Sequence, residues 1–344
     1  MEYPVKISVV MPTYNTAVPV LKESVESILL QTFQDFEFII IDDGSTNDSC
    51  TYLNSLTDSR IRLIRNPSNL GITKSLNIGF HAAKGKYIAR MDSDDISFPE
   101  RFEKQFTFME THPDVIVCGA RTTLIGKQKS APKRVMEDME SYRVRMLFAN
   151  PGPTHSTVLF IREKLNRFHI LYDEQLTYAQ DYGMWMTASQ FGDVCILPEI
   201  LGLYRVHPAQ ISQAHRQRQI ECDQITQRKL LTQLLGSVTE QELDLHYHYS
   251  TGYYSEATIT PQIAEWYDRL IAANAQRKIY DQKKLRKRIV QIKRILIGQT
   301  FTKEMSKREK AMLLFRYLPF FVAVQAVLEI MVLKISNIGH KKSI

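Results

Sequence analysis

The sequence predicts a doubly wound α/β fold with a mostly parallel sheet, followed by a helical C-terminal extension. Three observations support this prediction. In the first half, short β-rich runs alternate with segments whose apolar residues recur at helical spacing. One run, Phe36 to Ile41, is continuously apolar, which is typical of a strand covered on both faces. From about residue 215 onward, helical patterns and polar residues dominate.

The elements follow in chain order. The strands predicted in the first half are Ile7 to Met11, Phe36 to Ile41, Arg60 to Ile64 and Tyr87 to Met91. We expect Pro12 to stop the first strand, because proline lacks the N–H that a strand ladder uses. Helices are predicted at residues 18–31, after Ser45, and at Thr73 to Ala83. Beyond residue 100 the pattern loosens and predicts a helix at residues 102–109, strands Val115 to Cys118 and Ser156 to Ile161, and a helix at residues 181–191.

Polar clusters stand where three of the predicted strands end. They are Pro12 to Asn15, Asp42 to Ser45, and Asp92 to Asp95. In doubly wound sheets, ligands bind outside the carboxyl ends of the strands. We therefore expect the three clusters to meet on one rim of the sheet.

The third cluster holds three carboxylates. Along an extended chain Asp92 and Asp94 point to the same side, which suits one hard divalent cation. Such a cation keeps several waters and takes substrate phosphates as further ligands, so the implied substrate carries a diphosphate. The alternative for an isolated Asp-x-Asp is a solvated acidic turn.

Composition describes an ordinary globular protein with an uneven charge. Hydrophobic residues make up 44% and charged residues 24%, which excludes disordered and fibrous classes. Net charge is −3 over residues 1–214 and +10 over residues 215–344. We expect two domains with this boundary. The four scattered cysteines and a start without an apolar signal core predict a cytoplasmic protein.

With these residues in view, the first 210 or so positions resemble the family 2 glycosyltransferases, which have a GT-A fold. Several motifs in the family's order are more specific than any one of them. They are Val9 to Asn15, Ile39 to Thr46, Asn69 to Ile72, Asn77 to Gly79, Gly85 to Asp95, Gln180 to Tyr182, and Tyr204 to His207.

The resemblance implies transfer of a sugar from a nucleotide-sugar, usually a UDP-sugar, to an acceptor hydroxyl with inversion at the anomeric carbon. It also implies a divalent metal, Mn²⁺ or Mg²⁺. By similarity, Thr13 and Tyr14 would line the base and ribose, and Asp42 or Asp43 would accept a hydrogen bond from the uracil or ribose.

The chemical roles are carried over in the same way. By similarity, Asp92 would reach the ribose or the metal, and Asp94 would be the principal metal ligand. Asp181 matches the family's general base, although Gln180 stands before it where the family more often has Glu. His207 matches a histidine that can help to hold the metal or diphosphate.

Further candidates lie in the same motifs. We expect nucleotide-sugar contacts from Pro12, Asn15, Asn69 and Ser93, and phosphate contacts from Lys74 and Arg90. Tyr182 and Trp185 are candidates for stacking on an acceptor sugar, although at helical spacing such residues more often belong to the core.

Plain structural alternatives exist for several of these residues. Asp181 could only cap the helix that follows it, and Asp42 to Ser45 could only form a turn and a cap. Lys74 could be a solvated helix residue and His207 a surface-loop histidine. The role of His155 is undecided.

The C-terminal part suggests a membrane surface. Residues 277–294 hold nine Lys or Arg and one acid, interleaved with apolar residues, as in basic amphipathic helices. Residues 311–333 are strongly apolar but interrupted by Arg316, Pro319, Gln325 and Glu329, so we favour an interfacial helix over a spanning one. The alternative is a helical cap packed on the catalytic domain.

These features lead to one principal hypothesis and two alternatives. The principal one is an inverting, metal-dependent glycosyltransferase at the inner face of the cell membrane. It would extend a lipid-linked saccharide, such as one on a polyprenyl diphosphate, in surface polysaccharide biosynthesis. The first alternative is a non-catalytic nucleotide-sugar-binding scaffold. The second, a nucleic-acid binder, ranks last because residues 277–294 contain one aromatic residue, so we expect no nucleic-acid partner.

Overall fold

The computed structural model describes residues 3–125, 138–206, 215–250, 257–301 and 305–327. These residues group into two compact units. The first unit is formed by residues 1–142 and 150–226, and the second by residues 143–149 and 227–344. The domain boundary expected between residues 214 and 215 remains a prediction.

An eight-stranded sheet forms the centre of the first unit, with strand order β3-β2-β1-β4-β7-β6-β8-β5. Strands β3, β2, β1 and β4 are mutually parallel, as are β6 and β8, whereas β7 and β5 run antiparallel to their neighbours. The predicted α/β fold with a mostly parallel sheet is therefore confirmed. The strands are β1 (Ile7–Thr13), β2 (Phe36–Asp42), β3 (Ile61–Arg65), β4 (Tyr87–Arg90), β5 (Ile96–Ser97), β6 (Val115–Leu124), β7 (Leu159–Ile161) and β8 (Asp193–Tyr204).

Helices connect these strands. Those before β8 are α1 (Val18–Leu29), α2 (Ser49–Asn54), α3 (Ile72–Ala82), α4 (Arg101–Thr111), α5 (Met139–Met146), α6 (Arg162–Arg167) and α7 (Gln180–Ala188). Helix α1 forms because Pro19 suits its first turn, and because Leu21, Val25 and Ile28 recur on one face, which is buried. Every residue of β1 is buried, as expected for a central strand with covered faces.

Two local expectations were wrong, and two strands were missed. Strand β1 continues through Pro12 to Thr13; its pairing with β4 ends at Val10, so its last residues are bonded on one side only, where proline is tolerated. Strand β7 is shorter than predicted, because residues His155–Thr157 form a 3₁₀ turn. Strands β5 and β8 were not predicted.

In the described residues from 216 onward, every regular element is a helix. The helices are α8 (Arg216–Leu235), α9 (Glu240–Ser250), α10 (Pro261–Arg277), α11 (Gln282–Thr300) and α12 (Lys307–Tyr317). Thr260 caps α10 and Asp281 caps α11 through side-chain hydrogen bonds, and Ser306 with Glu309 forms a capping box on α12.

Helix α11 is the basic amphipathic helix of the sequence analysis. Its apolar side, including Leu285, Ile289 and Leu296, is buried within the second unit, while Lys283, Arg286 and Lys287 are exposed. The apolar face of this helix is therefore part of a protein core, and its association with a membrane surface remains a prediction. Across the described parts of the chain, no helix combines the length and the apolar character that crossing a membrane requires.

Candidate active site

The three polar clusters meet at the carboxyl ends of β1, β2 and β4, as predicted. The Asn15 N–H donates to Ser45 Oγ at 2.9 Å, and the Thr46 N–H donates to Asn15 Oδ1 at 2.8 Å. The hydroxyls of Thr16 and Ser93 lie 2.8 Å apart. Asn15 has a φ of 51°, in the left-handed region that asparagine tolerates better than most residues. Hydrogen bonds thus join the loops that follow three strands into one rim.

Asp43 is buried and its carboxylate is occupied by the protein. It accepts hydrogen bonds from the Asn66 amide at 2.7 Å and from the N–H groups of Leu70 and Gly71, each at 2.9 Å. These bonds fix the loop that carries Asn69. In these contacts Asp43 has a structural role, and its contact with a nucleotide remains a prediction.

Asp42 is fully buried and holds the neighbouring turn. It accepts from Arg65 Nε at 2.9 Å and from the Ser45 N–H at 2.9 Å. The turn also requires Gly44, because a Cβ atom there would lie 2.6 Å from the backbone of Ser68 and φ is +74°. Asp42 therefore has a structural role, and its nucleotide contact likewise remains a prediction.

A carboxylate cluster follows β4. Oxygen atoms of Asp92, Asp94 and Asp95 lie within 4.8 Å of one another. Asp95 is buried and accepts hydrogen bonds from Ser156 Oγ at 2.5 Å and from the Arg205 N–H at 2.8 Å. Burial and the charges of Asp92 and Asp94 raise the pKa of Asp95 to about 8. We call these three residues the acidic cluster.

The acidic cluster fits a hard divalent cation. Its donor set consists of carboxylate oxygens, which Mg²⁺ and Mn²⁺ prefer, gathered closely enough to share one ion. Burial also raises the pKa of Asp92, against the opposing charge of Arg90. The sequence analysis named Asp92 and Asp94 as ligands and did not assign Asp95. His207, the other predicted ligand, lies outside the described residues.

Arg90 and Arg205 support the acidic cluster. Arg90 is 1% exposed and donates from Nη1 to Asp92, so its guanidinium is not at the surface where a phosphate would bind. Arg205, just after β8, donates from Nε to the Asp94 carbonyl at 2.8 Å and from Nη2 to Glu23 at 2.5 Å. Only its place in the Tyr204 to His207 motif signalled Arg205 in the sequence.

Asp181 lies in the first turn of α7. The N-cap residue is Ala179, so the alternative that Asp181 is the N-cap is wrong. Its Oδ2 accepts from the Asn150 amide at 2.9 Å, and its Oδ1 accepts from the Tyr182 N–H at 2.8 Å. Burial raises the pKa of Asp181, while both hydrogen bonds oppose that shift. Its charge in turn contributes to raising the pKa of Asp92, so the two carboxylates are electrostatically linked.

The other candidates divide into exposed and buried groups. Tyr14 is 47% exposed, and Asn15, Asn69 and Lys74 are also exposed. Ser93 is partly buried, and Pro12 and Thr13 are buried. The exposed side chains are therefore available to a ligand at the rim.

Tyr182 and Trp185, the acceptor candidates, belong to the core. Tyr182 is 1% exposed and Trp185 is fully buried, where it stacks on Phe160 with ring centroids 6.0 Å apart. Their predicted exposure to an acceptor is not seen, because the helical spacing that suggested it is also the spacing of a core face.

His155 has a defined place in the structure. Its Nε2 lies 2.7 Å from the Tyr172 hydroxyl, and its ring packs edge-on against Trp185. Burial and the charge of Arg90 lower the pKa of His155 well below its usual value, so the ring is neutral at physiological pH.

The fold of this chain is of the GT-A type. The fold is shared with S. aureus TarS 1–349, solved in complex with UDP-GlcNAc, at a TM-score of 0.57 and 17% identity over 84% of this chain and 89% of that one. It is also shared with the mannosyltransferase PcManGT from Pyrobaculum calidifontis, solved with GDP-Man and Mn²⁺, at a TM-score of 0.55 and 16% identity over 95% and 88% of the two chains.

Sequence comparison gives the family. The model of glycosyl transferase family 2 matches residues 8–169. An uncharacterized glycosyltransferase of Haemophilus influenzae is 31% identical over 248 residues, which are 67% of this chain and 75% of that protein. The amylovoran biosynthesis glycosyltransferase AmsE of Erwinia amylovora is 32% identical over 199 residues, covering 56% and 74% of the two chains. The chain belongs to the family 2 glycosyltransferases.

Proposed function

We propose that this enzyme transfers a sugar from a UDP-sugar to a saccharide hydroxyl with inversion, in surface polysaccharide biosynthesis. The observation that carries the proposal is a partly buried, doubly hydrogen-bonded carboxylate, Asp181, in the same unit as an acidic cluster whose oxygens lie within 4.8 Å of one another. The likeness to proteins solved with UDP-GlcNAc or GDP-Man supports a nucleotide-sugar donor. The similarity to AmsE supports the polysaccharide setting.

The donor would lie along the rim. Tyr14 offers an exposed ring for the base, and Asn15, Asn69, Lys74 and Ser93 offer polar groups for the ribose and phosphates. Asp42 and Asp43 shape the loops that carry these groups. Asp94, Asp92 and Asp95 would hold Mn²⁺ or Mg²⁺, and Arg205 would keep their loop in place. When bound, the cation would offset the negative charge on the leaving diphosphate.

Asp181 would act as the general base. As the acceptor oxygen bonds to the anomeric carbon, the bond from that carbon to the diphosphate breaks, and the hydroxyl proton passes to the Asp181 carboxylate. A single displacement of this kind inverts the configuration. Because burial raises the pKa of Asp181, its carboxylate is a stronger base than an exposed aspartate.

The test measures turnover of UDP-GlcNAc and GDP-Man with Mn²⁺, with and without saccharide acceptors. Asp181→Asn should lower transfer by about 10²- to 10⁴-fold and leave donor binding unchanged, because a positioned base contributes that much. Asp58→Asn is the matched control, since Asp58 is ion-paired to Arg60 and belongs to none of the strand-end clusters. Unimpaired transfer by Asp181→Asn would remove the base, and donor binding without any turnover would favour the scaffold alternative.

We further propose that the second unit brings the enzyme to an anionic membrane, where a lipid-linked acceptor lies. Four large apolar side chains near the C-terminus are strongly exposed: Met312 at 61%, Phe315 at 45%, Phe320 at 66% and Phe321 at 84%. The rings of Phe315, Phe320 and Phe321 form a chain with centroid distances of 5.8 and 5.7 Å. We call these four residues the aromatic patch.

Charge supports a lipid partner for the aromatic patch. Exposed Lys307, Arg308 and Arg316 lie on the same segment. A single exposed apolar residue is ordinary, but a group of them marks an interaction surface. Each basic residue near an anionic leaflet contributes about 1 kcal/mol, so these residues and the exposed basic side of α11 would suffice for reversible binding.

Vesicle co-sedimentation tests this second proposal. Wild-type protein should bind vesicles of phosphatidylglycerol and phosphatidylcholine, and the double substitution Phe320→Ser with Phe321→Ser should weaken binding about tenfold or more. Leu30→Ser, at a residue that is 71% exposed in the first unit, should bind like wild type. Equal binding by the patch variant, or equal binding to neutral vesicles, would contradict the proposal.

A further inference from the structure

Both polar atoms of the Asn150 side chain form hydrogen bonds. Its Nδ2 donates to Asp181 Oδ2 at 2.9 Å, and its Oδ1 accepts the Gly152 N–H at 3.0 Å. A backbone N–H can only donate, so Gly152 fixes which end of the amide is oxygen. The NH₂ group of Asn150 is thereby directed at the carboxylate.

The loop that carries Asn150 is held against α7 at two points. One point is the hydrogen bond from Asn150 to Asp181. The other is Gly152, where an added Cβ atom would lie 2.0 Å from Nε1 of Trp185, a fully buried residue one helical turn beyond Asp181. Such close backbone approach requires glycine. Trp185 therefore packs directly against Gly152, and the Gly152 N–H fixes the orientation of the Asn150 amide.

Each oxygen of Asp181 consequently receives one hydrogen bond, from Asn150 or from the Tyr182 N–H. A carboxylate oxygen has two lone-pair directions, so each oxygen can still accept one proton donor. Both bonds favour the ionised form and define the plane of the carboxylate. The group is held in the form and orientation that a base requires before the acceptor arrives.

We propose that Asn150 is a positioning residue that holds Asp181 ionised and oriented for proton abstraction, with Gly152 and Trp185 as its support. This inference rests on the proposed role of Asp181 as base. It assigns a function to a residue that the sequence analysis did not single out, and it gives Trp185 a role behind the site instead of on an acceptor.

The first test needs no substrate. The amide bonds to an ionised carboxylate, so Asn150→Leu should lower the midpoint of thermal unfolding more at pH 8 than at pH 5. In an Asp181→Ala background the same substitution should have an effect that does not change with pH. If Asn150→Leu does not fold, Asn150→Asp keeps the size and removes the donor. If Asn150→Leu destabilises the protein equally at pH 5 and pH 8 while Asp181 is present, the proposal is overturned.

The second test reads the pH profile of UDP-GlcNAc and GDP-Man hydrolysis with Mn²⁺, where water is the acceptor. Loss of one hydrogen bond to the charged form should move the acid limb of kcat upward by about one pH unit. On the acid limb itself it should lower kcat about tenfold, with recovery at higher pH and an unchanged donor KM. Asn150→Asp should move the limb further, because two facing carboxylates resist joint ionisation.

Asn274→Leu is the matched control. Like Asn150, Asn274 has a bonded amide, but it is buried and lies in the second unit, where its amide donates to the Tyr280 carbonyl at 2.9 Å. Its substitution should leave the acid limb in place. If the acid limb of kcat stays in place in both Asn150 variants while Asp181→Asn is inactive, the inference about Asn150 is overturned. Full transfer by Asp181→Asn would instead overturn the proposed base itself.

Discussion

Buried ionisable groups have different surroundings in the two units. In the acidic cluster of the first unit, burial and like charges raise the pKa of Asp95 to about 8. In the second unit, His246 is fully buried, and each ring nitrogen has a protein partner. Its Nε2–H donates to the Leu147 carbonyl at 2.8 Å, and its Nδ1 accepts from Trp266 Nε1 at 3.0 Å. Several like charges gathered at strand ends indicate a ligand-binding site. A buried group whose polar atoms all have protein partners indicates a structural role.

Asp43 shows that location at the rim is not sufficient for a ligand-binding role. It lies at the end of β2, yet three protein donors occupy its carboxylate. The distinction between ligand-binding and structural carboxylates therefore lies in their partners.

The largest effect should follow from Asp94→Ala. Removing one carboxylate of the acidic cluster should lower Mn²⁺-dependent turnover of the nucleotide-sugar by roughly 10³-fold, because cation stabilisation of a leaving group contributes several kcal/mol. Mn²⁺ affinity, measured by calorimetry, should fall in parallel. The free energy of unfolding should change by less than about 1 kcal/mol, because one of three like charges is removed. Unchanged turnover and Mn²⁺ affinity, matching those of Asp58→Ala, would refute the metal role.

The next effect concerns stability. Asp43→Ala should lower the free energy of unfolding by about 3 kcal/mol, because it leaves the Asn66 amide and two backbone N–H groups without their acceptor. Mn²⁺ affinity should stay unchanged. Urea unfolding measures the first quantity and calorimetry the second. A loss below about 1 kcal/mol, or a large loss of Mn²⁺ affinity, would erase the difference between Asp43 and the acidic cluster.

The first half of the sheet could be predicted because each strand shows two features within a short segment, an apolar run and a polar end. Strands β1, β2 and β4 are apolar runs that end in polar clusters, so both the strand and its functional end are visible within one short segment. Strand β8 has neither signal. Pro198 and Gly202 interrupt its apolar pattern, and its pairing with β6 shifts register, so alternation is lost.

The parts of the site that were missed depend on contacts between distant residues. Arg205 contacts Asp95 across 110 positions, Ser156 contacts Asp95 across 61, and Asn150 contacts Asp181 across 31. No local pattern encodes such pairs. Periodicity alone also could not tell what Trp185 or α11 packs against, because an amphipathic face has the same spacing whether it packs on protein, sugar or lipid.

An intermediate effect should appear on acidification. Burial lowers the pKa of His246 to about 4, below the value of about 6.5 expected in the unfolded chain. Between these values the unfolded state binds more protons at His246, so the contribution of this histidine to stability falls as pH decreases, by about 2 kcal/mol at pH 5. Urea unfolding at pH 5, 6 and 7 measures the slope.

Two variants isolate the contribution of His246. His246→Phe should remove this contribution from the slope in this window, although it also lowers stability at every pH by leaving Trp266 Nε1 unpaired. His112→Gln, at an exposed histidine, should keep the wild-type slope. An unaltered slope in His246→Phe would show that the ring is not held neutral, and the contrast with the acidic cluster would fail.

The smallest effect is expected at Lys293, a buried cation of the second unit. Lys293 is 6% exposed and its Nζ lies 2.8 Å from Asp268 Oδ1, but the Asp268 side chain is 67% exposed. Water therefore screens the pair, and methionine can fill the lysine's volume, so Lys293→Met should change the free energy of unfolding by less than about 1 kcal/mol. Turnover and Mn²⁺ affinity should be unchanged. Asp268→Ala should cost more than Lys293→Met, because it leaves the buried ammonium without its partner. If Lys293→Met instead abolished turnover, a charge in the second unit would share the chemistry of the acidic cluster, and the two units could no longer be separated by how their charges are paired.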